Sequence, residues 1–226
     1  MRISNFKLGI GIPCSFPFVP VSFFYSYAVM DRPDYIMIHE DNGPIDALRN
    51  NIVDRALREG CSHVIMMDTD MEYHPNTIPN LLFHKKPIIG ALVYRRYPPF
   101  DPLLLKGDPT IGYISIDEWE EGELIEVDAT GTGCLMFNMK VFREMPSPWF
   151  HFRPNPNPKI GGIIGEDFGF CWDLKKAGYQ IFVDTSVPAN HLTTLAVNDS
   201  TYRLYKSMKM KQRENAIQAA LSGKNI

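Results

Sequence analysis

The stretch His63-Val64-Ile65-Met66-Met67-Asp68-Thr69-Asp70-Met71-Glu72 decides how this chain is read. Its first five residues are largely apolar, the pattern of a strand buried on both faces in the middle of a sheet. The strand then runs straight into acid. Asp68 and Asp70 are two apart, so near a strand end both approach one ion or one phosphate group. Three carboxylates in five positions at a core's edge repel one another unless solvent, hydrogen-bond donors or a divalent cation compensates. Such oxygen ligands suit Mg²⁺ or Mn²⁺, and a hard cation there awaits phosphate oxygens. A plain solvated acidic turn is an equal reading of these ten residues alone, so the flanking segments must decide.

Upstream lies the clearest helix. Pro44 suits a first helical position, Ile45, Leu48, Ile52, Val53, Ala56 and Leu57 form an apolar stripe, and Gly60 supplies the stop. Residues 7–13 and 35–38 read as strands before it. Strand, helix and strand with short joins make a right-handed βαβ unit, which places Asp68 and Asp70 at the carboxyl edge of a parallel sheet. Open α/β sheets bind ligands at that edge. The metal reading therefore rises above the solvated turn.

Downstream, residues 87–93 form another strand, followed by Tyr94-Arg95-Arg96-Tyr97. Arginines there grip phosphates or a sugar ring, with a solvated basic turn as the alternative. Residues 100–127 read as short, antiparallel strands and turns. Asp128-Ala129-Thr130-Gly131-Thr132-Gly133 leads into the apolar strand 134–138, and its two glycines let backbone come close to a ligand or a neighbouring strand. The Pro/Asn-rich loop 146–159 carries Trp149, Phe150, His151 and Phe152, which pack the loop down or line a sugar-binding surface; we favour the second. Gly165-Glu166-Asp167 opens a helix, Tyr179 to Val183 form a strand, and His191 lies beyond that strand's end.

Composition limits the alternatives. The chain has 226 residues, 45% hydrophobic and 22% charged, enough for one sizeable core. A net charge of −3 without a long basic run disfavours nucleic acid as a partner. Four scattered cysteines without a CxxC suggest core residues in a reducing compartment, and no segment resembles a signal peptide or reaches transmembrane length. The expected location is cytoplasmic. The basic, weakly amphipathic tail is open to packing, partner contact or a peripheral membrane contact.

Taken in order, these features resemble the glycosyltransferase A-type (DxD) fold, in particular small family-2-like glycosyltransferases. The matching motifs are Arg49-Asn50 on the helix before the DxD, Asp68-Thr69-Asp70, the Gly131/Gly133 strand start, Gly165-Glu166-Asp167-Phe168, Gly178-Tyr179 and His191. The resemblance spans about residues 7–191. It implies a single-domain α/β nucleotide-sugar-binding sandwich with a mostly parallel central sheet and helices on both faces. Residues 1–191 would be the catalytic domain and 192–226 a helical tail. It further implies a nucleotide-sugar donor held through Arg49, Asn50, Asp68, Arg95, Gly131 and Gly133. Mn²⁺ or Mg²⁺ would bind to Asp70, with Asp68 and His191. Asp167 would be the base that activates an acceptor hydroxyl, with Glu166 orienting it and an inverting outcome. The acceptor class, whether glycan, small molecule, protein or lipid-linked, is open. His39-Glu40-Asp41-Asn42 stands where many members hold the base with aspartates and serine, and no Gln-x-x-Arg-Trp motif appears. Two rivals remain: a metal-dependent phosphoesterase or nucleotidyltransferase using Asp68, Asp70, Asp128 and Asp167, and a non-catalytic nucleotide- or sugar-binding module.

Overall fold

A computed structural model describes residues 6–221 of the chain. In chain order the elements are β1 (Leu8–Cys14), α1 (Val21–Ala28), β2 (Tyr35–Asp41), α2 (Ile45–Arg58), β3 (His63–Met67), β4 (Met71–Tyr73), α3 (Thr77–Phe83) and β5 (Ile88–Val93). There follow β6 (Leu105–Asp108), β7 (Gly112–Ser115), β8 (Leu124–Val127), β9 (Cys134–Asn138), α4 (Met139–Glu144), β10 (Arg153–Pro154) and β11 (Ile163–Ile164). The last are α5 (Glu166–Lys176), β12 (Ile181–His191) and α6 (Asp199–Leu221). Two compact units result, Met1–Leu192 and Thr193–Ile226.

The first unit is built on a sheet of order β2-β1-β3-β9-β5-β12-β4, with β8 also paired to β12. The pairs β1–β2, β1–β3 and β5–β12 are parallel. Strand β9 runs antiparallel to both β3 and β5, and β12 is antiparallel to β4 and β8. The sheet is therefore mixed, and the mostly parallel sheet expected from the sequence is corrected. An apolar run such as Cys134–Asn138 reports burial but carries no direction, because its pattern is the same read from either end. The direction matters for the site. Because β9 runs opposite to β3, Cys134 faces Met67, and the Gly131–Gly133 approach lies beside Asp68 instead of at the far edge.

The strand pattern sorts side chains onto two faces. Leu8, Ile10, Ile65, Met67 and Met136 join Phe23 of α1 and Ile78 and Leu81 of α3 in one buried cluster. Val64, Met66, Leu135 and Phe137 join Ile52 and Val53 of α2, Phe142 of α4 and Phe170 of α5 in the other. Helices thus cover both faces. The stripe read from the sequence is the buried face of α2, where Leu48, Ile52, Val53 and Ala56 are buried. A Cβ on Gly11 would lie 2.4 Å from Ile52 Cγ2, so glycine in β1 sets how closely α2 approaches the sheet.

The aromatic loop 146–159 departs from its expectation. Trp149 and Phe150 are core residues, and the Phe150 ring lies 4.8 Å from Phe170 and 6.5 Å from Phe137, centroid to centroid. Trp149 Nε1 donates to the carbonyls of Phe142 and Met145. Of these four residues Phe152 is the exposed one. Burying two large aromatics outweighs leaving them open for a ligand.

In the second unit α6 begins at an Asn198 cap, whose Oδ1 accepts from the backbone N–H of Ser200 and Thr201. Tyr202, Leu204, Tyr205, Met208 and Met210 are exposed on it. Among the described residues no helix is long and apolar enough to cross a membrane.

Candidate functional site

The site forms where β3 ends, β9 begins and α5 starts. Arg49 projects from α2 into this junction and is 3% exposed. Its Nη2 donates to Asp68 Oδ2 at 3.0 Å, and Nη1 lies 3.0 Å from Asp68 Oδ1 as an ion pair. Its Nε donates to Glu166 Oε1 at 3.3 Å. Burial alone would lower the Arg49 pKa, but the Asp68 and Glu166 carboxylates more than reverse that and keep the guanidinium charged. A planar fork with donors on two edges can bridge carboxylates from β3 and α5 in one plane. The pair Glu166-Asp167 is therefore more than a helix-terminus charge. Glu166 is a buried ion-pair partner of Arg49.

Asp167 is half-buried next to this clamp. Burial raises its pKa, the Glu166 charge raises it further, and Arg49 partly opposes both, leaving it at about 7. A carboxyl group poised near neutrality is suited to taking a proton from a hydroxyl at physiological pH. Its Oδ1 also accepts from the Phe168 N–H at 2.7 Å, which fixes the side-chain direction.

The second half of the site is Asp70. Arg96 Nη1 donates to Asp70 Oδ2 at 2.8 Å, and His191 Nε2 lies 3.2 Å from the same oxygen. Burial alone would raise the Asp70 pKa, but His191 and Arg96 hold it below the usual carboxylate range. The His191 pKa is raised, chiefly by its hydrogen bond to Asp70. His191 is the last residue of β12, which runs on past the sequence-expected end through an irregularity between Asp184 and Pro188. Its Nδ1 lies 3.0 Å from the Tyr94 carbonyl oxygen, which aims Nε2 at Asp70.

The expected metal set of Asp68, Asp70 and His191 is not assembled as three ligands. Asp68 is turned into the Arg49 clamp, and among the described residues no group of three or more His, Cys, Asp or Glu is arranged to hold an ion. Asp70 and His191 remain as a pair. One carboxylate and one imidazole 3.2 Å apart fit adjacent positions on a divalent ion with bonds of about 2.1 Å. Such an open site leaves its other positions to phosphate oxygens and water.

The remaining expected residues separate clearly. Gly133 belongs to the site: its carbonyl accepts from the Asp68 N–H at 3.0 Å, and a Cβ on it would lie 3.4 Å from Asp68 Oδ2. Gly131 lies near the base, with a Cβ position 4.0 Å from Asp167 Oδ2 and 2.9 Å from Leu103 Cδ1. Asn50 instead staples a loop. Its Oδ1 accepts from the Trp149 and Phe150 N–H groups, and its Nδ2 donates to the Phe150 and Asp46 carbonyls. Arg96, not Arg95, meets Asp70. In an irregular segment no periodicity distinguishes adjacent arginines.

Two contributors escaped the sequence reading. The Tyr73 O–H donates into a space between the Asp68 and Gly133 carbonyls, 2.7 and 2.8 Å away, and ties β3 to the start of β9. The alternation Met71-Glu72-Tyr73 is a weak strand signal that would have pointed Tyr73 inward. Thr132 is buried between the two glycines, and its Oγ1 has no hydrogen-bond partner among the described residues. A cavity of about 740 Å³ opens at the other end of the strands, between Phe6, His63, Lys86 and Tyr179. It does not include the clustered acids.

The chain superposes on A197 from STIV with a TM-score of 0.56 at 14% identity, covering 84% of this chain and 87% of that one. It superposes on GalNAc-T7, crystallised with UDP, GalNAc and Mn²⁺, with a TM-score of 0.58 at 10% identity. That match covers 84% of this chain and 44% of GalNAc-T7. The α/β fold is loosely related to the glycosyltransferase A type. At these identities the likeness is one of fold alone. No protein-family profile matches the chain, and no curated protein sequence matches it.

Proposed function

We propose that this protein is a divalent-metal-dependent glycosyltransferase that moves a sugar from a nucleotide-sugar donor to an acceptor hydroxyl with inversion. The observation that carries the reading is the Arg49 clamp. It brings Asp68 from the DxD and Glu166 from the start of α5 onto one guanidinium, with Asp167 beside them. The fold shared with GalNAc-T7 is consistent with it.

In this reading Asp70 and His191 hold the ion, and Arg96 is released from Asp70 toward the donor diphosphate. When bound, the ion offsets charge developing on the leaving diphosphate. Asp68, fixed by Arg49, faces the donor ribose, and the backbone of Gly131 and Gly133 at the start of β9 flanks the donor. Asp167 takes the proton of the acceptor hydroxyl as its oxygen bonds to the anomeric carbon and the bond to the diphosphate breaks. Glu166, held by Arg49, keeps Asp167 in place. Residues 1–191 supply every group named, with residues 192–226 as an appended tail.

The test is thermal unfolding of the full chain against a panel of nucleoside diphosphates and nucleotide-sugars with Mn²⁺, Mg²⁺ or EDTA. Binding to the folded state raises the midpoint by mass action. One nucleotide family should stabilise the wild type in Mn²⁺ and lose its effect in EDTA and in Asp70→Ala. A shift that survives both would remove the metal from the reading, and a flat panel in both metals would remove the donor.

A further inference from the structure

We propose that a second cavity, between α5 and the β6–β7 hairpin, is a saccharide-binding subsite, and that the acceptor is therefore a glycan; the acceptor assignment rests on the transferase reading above. The cavity measures about 330 Å³ and is lined by Asp108, Tyr113, Asp128, Trp172, Lys175 and Lys176. The β6–β7 hairpin supplies Asp108 and Tyr113, the segment leading into β9 supplies Asp128, and α5 supplies the rest. These are the same segments that present Gly131 and Asp167 to the reaction centre.

Two observations tie the cavity to the proposed base. The Tyr113 ring packs on Phe168, the residue after Asp167, with centroids 5.4 Å apart. Phe168 and Trp172, four residues apart on α5, lie on one helical face with a rise of about 6 Å between them. A saccharide with its reacting hydroxyl at Asp167 would reach the cavity with the neighbouring ring.

The lining selects the ligand class. Two carboxylates, Asp108 and Asp128, face two ammonium groups, Lys175 and Lys176, so the cavity offers neither a phosphate nor a free cation a net attraction. Lys175 is paired with Glu126 and Asp128, and the Gly107 N–H donates to Asp128 Oδ2 at 2.9 Å. Asp108 Oδ1 accepts from the backbone N–H of Thr110 at 2.7 Å and from its hydroxyl. A neutral polyol can donate to Asp108 and accept from Lys176, contacts that a hydrocarbon cannot make.

The aromatic face points the same way. Lys176 Nζ lies 3.1 Å from the centroid of the Trp172 ring, although Lys176 is exposed. The π-face attracts positive partial charge, and the C–H face of a pyranose carries it. A sugar ring can thus replace the ammonium on Trp172, leaving Lys176 to donate to a hydroxyl.

Saturation-transfer NMR on the full chain tests this with methyl glycosides of glucose, galactose, mannose and N-acetylglucosamine, and with 1,4-linked disaccharides. Nucleotide binding in Mn²⁺ is followed in parallel by thermal shift. At least one saccharide should bind saturably and weaken at least tenfold in both Trp172→Leu and Asp108→Asn, with the nucleotide shift unchanged. Asp108→Asn alters a half-buried hairpin residue, so it reports even where Trp172→Leu disturbs α5. No saturable saccharide, or one bound equally by both variants, would overturn the subsite. Saccharide binding without any nucleotide binding would keep the subsite and overturn the transferase reading.

Discussion

Replacing Arg49 with methionine tests whether the site is held together as described. The side chain is 4% exposed and faces Asp68, whose side chain is 25% exposed, and Glu166, whose side chain is 10% exposed. Methionine keeps much of the packing volume but leaves these carboxylates facing one another and Asp167 without a cation. Removing one partner of a buried ion pair costs about 3–5 kcal/mol. Asp68 keeps some solvent, so the lower end, about 3 kcal/mol, is the expected value. For a domain of this size that corresponds to a fall in midpoint of about 6–12 °C.

The pH dependence separates this cause from a packing defect. Arg49 holds the Asp167 pKa down, so without it the Asp167 carboxyl is pushed further above its unfolded value. The variant then keeps its stability at pH below about 4 and loses it as pH rises through the raised folded value. Urea unfolding of wild type and Arg49→Met at pH 5 and pH 8, without metal, should show the larger deficit at pH 8. Arg49→Lys should recover part of it, because lysine keeps the charge but cannot bridge two carboxylates in one plane. A deficit under about 1 kcal/mol at pH 8, or the same deficit at both pH values, would refute the clamp.

Two further outcomes follow from the same geometry. Asp167 has a folded pKa of about 7, above its unfolded value of about 3.9, so its protonated form stabilises the fold at low pH and that contribution is lost as pH rises from about 4 to 7. Asp167→Asn should therefore be the more stable protein at pH 8, by no more than about 4 kcal/mol, and the difference should shrink toward pH 4 in urea titrations; equal stability at pH 8 would show that Asp167 is not destabilised when ionised. Asn50→Leu removes a side chain that bonds the backbone of Asp46, Trp149 and Phe150. It should cost about 2–4 kcal/mol, with a changed near-ultraviolet circular dichroism signal from Trp149; an unaltered signal with full stability would mean that the loop does not depend on Asn50.

Local pattern made much of the frame legible. The apolar stripe of α2 between two apolar strands placed Asp68 and Asp70 at the end of β3, because helical and strand periodicities differ and each was uninterrupted there. Phe150 and Trp149 were misjudged because ring side chains among prolines and asparagines look alike whether they face a ligand or a core. Arg96 could not be told from Arg95, since a segment without periodicity assigns no direction to a side chain.

By itself the sequence determined the helix and strand that carry Arg49, Asp68 and Asp70, and the acidic start of α5, all properties of a short window with its own repeat. Tertiary structure alone decided which charges meet: that Arg49 spans Asp68 and Glu166, 19 and 117 residues away, and that His191 turns to Asp70, 121 residues away. It also decided the direction of β9. A strand's hydrogen bonds can be satisfied by a neighbour running either way, so its direction is fixed by how the chain returns to the sheet. That return sets the glycines against Asp68.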